Sequence, residues 1–313
     1  MRPETRILIL ILGPTGGGKS AAGIRLAKDF DGEIINCDSM QVYRGFDIGT
    51  DKPPAGMRAE IPHHLLDIAD PATQFTAADF AARAIEAASG ILERGKLPFV
   101  VGGTGLYFKA LLDGLFPGPG RDDTLRRELE KEAREKGLDH LRKKLEEVDP
   151  AYLRRISRND RRKIIRALEV YALTGKPLSR HFLETRSFLD DFHPVKIGLK
   201  CERDVLNRKI EERVDRMFQS GIVEEVRALL AGGVDEKASP FLALGYKHVL
   251  AFLKGSLTLE EAVVLTKRDT RRYAKRQMTW FRKMEGIRWF EPGEVDAMAA
   301  MIAAELTRTS YKL

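Results

Sequence analysis

Residues 7–12 of this chain read Ile-Leu-Ile-Leu-Ile-Leu and run directly into Gly13-Pro14-Thr15-Gly16-Gly17-Gly18-Lys19-Ser20. Six apolar residues in succession fall well short of the roughly 20 that cross a bilayer, and suit a strand buried on both faces. The eight that follow fit Gly-x-x-x-x-Gly-Lys-Ser, a phosphate-binding loop. Glycines lacking a Cβ let successive backbone N–H groups turn inward around phosphate oxygens, helped by the positive end of the next helix, predicted over 20–29. Lys19 adds a point charge, and the Ser20 hydroxyl is suited to a magnesium ion bridging the phosphates. A di- or triphosphate is therefore the expected ligand. The loop alone leaves open whether phosphorus is attacked or diphosphate departs.

Such a loop implies a parallel α/β sheet, and the remaining strands can be sought on that basis. Residues 33–36, 97–101, 195–199 and 287–290 read as short strands, apolar throughout only at 97–101. Residues just past the carboxyl ends of such strands line the ligand crevice. This puts Asp38-Ser39-Met40-Gln41 and Gly102-Gly103-Thr104-Gly105 on the same rim as Lys19, although Asp38 by position alone could equally be a helix cap or an outer magnesium ligand. The adjacent His63 and His64 point apart and lack ligand spacing, so strand-end packing is expected there. Apolar residues recur at helical spacing over 76–94, which predicts a helix lying on the sheet.

At 313 residues with 43% hydrophobic content, one large domain plus a smaller one is expected. Between Arg121 and Arg166 there are 16 basic and 11 acidic residues and no strand pattern. With the Pro117-Gly118-Pro119-Gly120 linker before it, this reads as a small all-helical domain over 117–190, inserted into a P-loop core made of 1–116 and 191–313. Its last helix should begin near Asp160 and stop at Gly175-Lys176-Pro177. After 203 the chain is mostly helical. In the last long helix, over 258–284, Arg268, Arg272, Lys275, Arg276, Thr279, Arg282 and Lys283 share one side at 100° per residue, and Tyr273, Gln277, Trp280, Phe281 and Met284 the other. Nine basic and two acidic residues between Lys267 and Arg288, in a chain of net charge +7, point to a nucleic-acid backbone. Cys37 and Cys201 are the only cysteines, too few for a disulfide framework or a four-ligand zinc site. No leader pattern opens the sequence and no apolar run approaches membrane length, so a cytoplasmic protein with no membrane partner is expected.

Taken together, these segments resemble the bacterial tRNA isopentenyltransferases (tRNA dimethylallyltransferases). The resemblance rests on residues 13–20, Asp-Ser-Met-Gln-Val-Tyr-Arg-Gly at 38–45, Asp-Ile-Gly-Thr at 47–50, His-His-Leu at 63–65, Gly-Gly-Thr-Gly-Leu-Tyr at 102–107, Arg-Ala-Leu-Glu-Val at 166–170 and Lys-Arg-Gln-Met-Thr-Trp-Phe-Arg at 275–282. It implies transfer of a dimethylallyl group from dimethylallyl diphosphate to the exocyclic amine of the adenosine 3′ of the anticodon, by a monomer using Mg2+. It also implies roles. Gly13 to Ser20 would hold the diphosphate, with magnesium on Ser20; Asp38 would accept the proton; and Thr104 and Arg213 would meet the reacting centre. The tRNA would touch Asp38, Ser39, Met40, Gln41, Thr104, Arg126, Arg162, Lys163, Ile164, Ile165, Arg166, Tyr246, Lys247, Lys275, Arg276, Gln277, Thr279, Trp280 and Arg282. Gly16-Gly17 stands where the family has Ala-Ser, and Leu242-Ala243-Leu244 is apolar where a tRNA contact would be implied.

Rival readings differ in what else they explain. A small-molecule kinase would use the loop on ATP but leaves the basic final helix unexplained. A nucleic-acid-stimulated ATPase accounts for that charge, yet no apolar strand ends in an Asp-Glu pair. Prenyl transfer to free adenine nucleotide would need the same fold.

Overall fold

The computed structural model describes residues 6–116 and 118–310. The stretch 1–5, where no leader pattern is read, and Pro117 of the linker lie outside the described residues. The chain divides into two compact units, residues 1–112 with 188–313, and residues 113–187.

The first unit is built on a six-stranded, wholly parallel sheet of order β3-β2-β4-β1-β5-β6. Central strand β1 (Arg6–Leu12) leads into α1 (Lys19–Asp29), β2 (Gly32–Cys37), α2 (Ala55–Glu60), the two-residue edge strand β3 (His63–His64), α3 (Ala77–Glu93), β4 (Leu97–Gly102) and α4 (Gly105–Asp113). From Leu8 to Leu12 no side chain of β1 is exposed, because helices cover both faces and alternate residues point to opposite ones. Ile7, Ile9 and Ile11 pack with α1 and with Met298 and Ile302 of the closing helix. Glu33 is the one charge buried within β2; His64 Nε2 and Arg94 Nη2 reach its Oε2 at 2.7 and 2.6 Å. The two histidines thus form the edge strand, and of the two His64 alone anchors the carboxylate.

The second unit holds five helices: α5 (Asp123–Glu135), α6 (Leu138–Val148), α7 (Pro150–Leu153), α8 (Arg161–Thr174) and α9 (Leu178–Leu183). Asp160 caps α8, and Gly175, at φ 68°, ends it. The core is apolar, formed by Leu129, Leu141, Leu145, Ile164, Leu168 and their neighbours. Ile164 and Ile165 belong to this core, 0% and 4% exposed, so neither can be the tRNA contact expected of it. A fully buried carboxylate, Glu169, takes two hydrogen bonds of 2.9 Å from Arg126, one of 2.7 Å from Arg166 and one of 2.8 Å from the Asp122 amide.

The chain then returns to the first unit through β5 (Phe192–Leu199), α10 (Arg203–Gln219), α11 (Ile222–Ala231), α12 (Tyr246–Leu253), α13 (Leu259–Phe281), β6 (Arg288–Phe290) and α14 (Val295–Ser310). A Thr258–Glu261 capping box starts α13. No described helix is long and apolar enough to cross a membrane.

Glu169 makes the stability of the helical unit pH-dependent. Burial opposes its ionisation, but the Arg126 and Arg166 hydrogen bonds outweigh that and lower its pKa. A carboxyl depressed in the folded state contributes fully above its unfolded value of about 4.3 and loses that contribution as pH falls through the folded value. We expect Glu169→Gln to cost about 1.5–3 kcal/mol at neutral pH, with the difference from wild type shrinking below about pH 4. Urea midpoints across that range check it; a constant difference would contradict it.

Candidate functional site

Parallel register brings the functional loops together. Leu12 of β1 and Cys37 of β2 both pair with Gly102 of β4, and Leu12 also pairs with Gly198 of β5. The chain therefore leaves β1, β2 and β4 side by side, at Gly13, Asp38 and Gly103. The Thr104 amide reaches the Cys37 carbonyl at 3.3 Å, and Thr104 Oγ1 accepts from the Ser39 amide at 3.1 Å.

The loop from Gly13 to Gly18 closes through Gly17 N–H donating to the Pro14 carbonyl at 3.1 Å. Gly16 and Gly18 have φ of 74° and 83°, the left-handed region that a side chain disfavours. Gly18 begins α1 without any capping side chain, which leaves the first amides of that helix open toward the loop. Ser20 is exposed on its first turn. Lys19 Nζ lies 2.7 Å from the Pro14 carbonyl. Burial and the nearby Arg213 lower its pKa to about 8. Arg213 of α10 donates to Thr15 Oγ1 at 2.8 Å and pairs with Asp51 at 3.3 Å.

Asp38 uses its two oxygens differently. Oδ1 accepts from the Met40 and Gln41 amides at 2.8 and 3.4 Å, the capping geometry. Among the described residues Oδ2 has no hydrogen-bond donor, so one carboxylate both shapes the turn and offers a proton acceptor. Asp38 lines a cavity of about 420 Å3 with Ser39, Met40, Thr50, Arg213 and Tyr273. The Gln41 side chain turns away and braces the Thr50 and Asp51 carbonyls at 3.0 and 3.2 Å. Burial and the Asp38 charge raise the pKa of the Tyr273 hydroxyl, which stays neutral.

Around residues 242–247 the structure reverses the expectation. Tyr246 is 0% exposed, its hydroxyl 2.5 Å from Glu225 Oε1 and 3.1 Å from the Gly49 amide. It is a core residue that braces the 46–50 loop, not a tRNA contact. The apolar Leu242, Ala243 and Leu244 instead line the cavity, beside Lys247 and Arg276. Gln277 is likewise buried, 5% exposed, and bonds to backbone alone. Trp280, grouped above with the packing side, is 42% exposed. It lies against Gly105, where a Cβ would come within 2.6 Å of the indole.

The cations of α13 divide into groups. Lys267 and Arg271 pair with Asp215 and Glu211 of α10. Arg268 and Arg272 approach Asp269 at 3.0 and 3.8 Å, and Lys247 reaches the same carboxylate at 2.7 Å. Burial works against ionising Asp269, but Lys247 and Arg268 prevail and hold its pKa low. Lys275, Arg276, Arg282 and Lys283 are exposed and have no ion pair among the described residues. Thr279 is exposed between them. In the helical unit Arg162 and Lys163 are exposed on α8, whereas Arg126 and Arg166 keep only partial exposure beside Glu169.

Comparison with known proteins identifies this arrangement. The IPP transferase family pattern matches residues 41–284. A tRNA dimethylallyltransferase of Geobacter sulfurreducens is 51% identical over 94% of this chain and 95% of its own length. That of Geobacter metallireducens is 49% identical over 96% and 97%. The chain belongs to the tRNA dimethylallyltransferase family. Within that family, the crystal structure of a tRNA isopentenylpyrophosphate transferase from Bacillus halodurans superposes with a TM-score of 0.73 at 41% identity, covering 98% of this chain and 99% of that one. A eukaryotic dimethylallyltransferase crystallised while acting on tRNA matches with a TM-score of 0.76 at 31% identity, over 93% of this chain and 75% of that one. Family membership makes the chain a transferase.

Proposed function

We infer that this enzyme transfers the dimethylallyl group of dimethylallyl diphosphate to the exocyclic amine of the adenosine 3′ of the anticodon in tRNA and releases diphosphate. One observation carries the reading. The phosphate loop and Asp38 leave the strands on either side of β4, both aligned on Gly102, and Asp38 lines a cavity that also includes Arg276 of the basic helix.

The chemistry follows from that placement. The loop amides, α1 and Lys19 face the charge that grows on diphosphate as the allylic C–O bond breaks. Arg213, anchored on Thr15 and Asp51, places a fixed cation between loop and cavity. Adenine's amine is a weak nucleophile because its lone pair is delocalised. As the new N–C bond forms, its proton passes to Asp38 Oδ2. Leu242, Ala243 and Leu244 give the cavity an apolar flank suited to a five-carbon chain, and the target base must leave its stack to enter. Magnesium fits the residues present. The Ser20 hydroxyl is exposed beside the loop, and no cluster of three His, Cys, Asp or Glu exists among the described residues. This suits an ion whose remaining ligands are diphosphate oxygens and water. When bound it would neutralise leaving-group charge. The enzyme acts as a cytoplasmic monomer in this reading.

The direct test offers the purified protein radiolabelled dimethylallyl diphosphate with unmodified tRNA, AMP or ATP. We expect label in tRNA alone; label in AMP would favour a free-nucleotide prenyltransferase. The division of charges on α13 gives a second expectation. Neutralising Lys275, Arg276 or Arg282 should weaken tRNA binding and flatten its salt dependence by about one unit of slope per contact. Neutralising Lys267 or Arg271 should leave the slope unchanged. Equal slopes throughout would show that the exposed face is only solvated.

A further inference from the structure

Gln277 is a buried amide in the interior of α13, and such a group must find partners or cost stability. Both partners are main-chain groups of the two glycine turns. Oε1 accepts from the Thr15 amide of the phosphate loop at 2.9 Å, and Nε2 donates to the Gly103 carbonyl at 2.7 Å. These turns leave neighbouring strands at the paired positions Leu12 and Gly102. One side chain therefore ties them to each other and to the helix. The fit is close: a Cβ on Gly103 would stand 2.4 Å from Nε2. Thr15 is held a second time, through its hydroxyl, by Arg213. At 100° per residue, Ala274, Gln277 and Phe281 face inward while Lys275, Arg276 and Arg282 face out.

We propose that Gln277 is a positioning residue that holds the phosphate loop in its diphosphate-accepting shape, and not a contact for tRNA. Resting on the functional reading above, this assigns the buried and exposed faces of one helix to different substrates. With its amide occupied, the Thr15 N–H is satisfied away from the ligand. The loop then presents its Gly16, Gly18, Lys19 and Ser20 amides from a fixed base, the Gly17 amide being used to close the loop on Pro14. Loss of the amide leaves a buried N–H and carbonyl without partners and frees both turns to shift.

Gln277→Met keeps length and volume but removes both hydrogen bonds. We expect KM for dimethylallyl diphosphate to rise roughly tenfold, the worth of a hydrogen bond, with a smaller change in kcat and tRNA Kd within about twofold. Gly103→Ala, which pushes the amide aside from its other partner, should raise the same KM, and the two changes should not add. A solely structural role predicts a lower Tm in both variants with unchanged KM; that result, or a shift confined to tRNA Kd, would overturn the proposal. If the wild-type enzyme itself binds no dimethylallyl diphosphate, the functional reading fails and this inference with it. If the wild type binds and both variants bind equally well, only the inference fails.

Discussion

Everything at the site depends on the parallel register that sets Leu12 and Cys37 against Gly102. In a parallel sheet all strands end on one rim, and aligned neighbours release their loops within hydrogen-bonding reach. Here that alignment lets the Thr104 amide meet the Cys37 carbonyl and the Thr104 hydroxyl meet the Ser39 amide. The Gly13–Ser20 loop and the Asp38 carboxylate, proposed to face diphosphate and to take the proton, are thus fixed by pairing to the same residue, Gly102. Their separation needs no long flexible side chain to maintain it. The strands can hold that register because β1 is buried on both faces, where a slip of one residue would exchange its two apolar faces between unlike helix layers.

Charge is managed as carefully as packing. A chain of net charge +7 still spends many of its cations internally. Lys267 and Arg271 fasten α13 to α10, and Glu169 takes up two arginines of the helical unit. What remains outward without an ion pair among the described residues is the group Lys275 and Arg276 on α13 and Arg282 and Lys283 just past its end. Partly screened, paired cations contribute little to a polyanion, whereas unpaired ones release counterions when they meet phosphate. The nucleic-acid footprint proposed for this segment is therefore narrower than the nine basic residues between Lys267 and Arg288 imply.

The readable parts of the sequence were those in which short motifs coincide with strand ends. Gly13 to Ser20, Asp38 and Thr104 all lie where a strand-loop-helix reading puts them, since loop chemistry there is local. Contiguous segments carried over from the resemblance were less reliable, for a geometric reason. A run such as 162–166 spans more than one helical turn, so Ile164 and Ile165 must face the core when Arg162 and Lys163 face water. The same period turns Gln277 inward between Arg276 and Met278. Tyr246 could not be read from its neighbours, because its hydroxyl is satisfied by Glu225, 21 positions away in sequence. The apolar Leu242 to Leu244 gave no chemical signal at all; only the tertiary fold brings them to the cavity beside Asp38.

The central claim is that Asp38 is the proton acceptor for prenyl transfer. Asp38→Asn keeps an oxygen to accept from the Met40 and Gln41 amides, so the turn should survive; Asn caps as well as Asp. What it loses is the basic Oδ2. Single-turnover transfer from dimethylallyl diphosphate to tRNA should fall at least about a hundredfold in this variant, with tRNA affinity nearly unchanged and no recovery at raised magnesium. Near-normal turnover would contradict the account, and rescue by magnesium would make Asp38 a metal ligand instead.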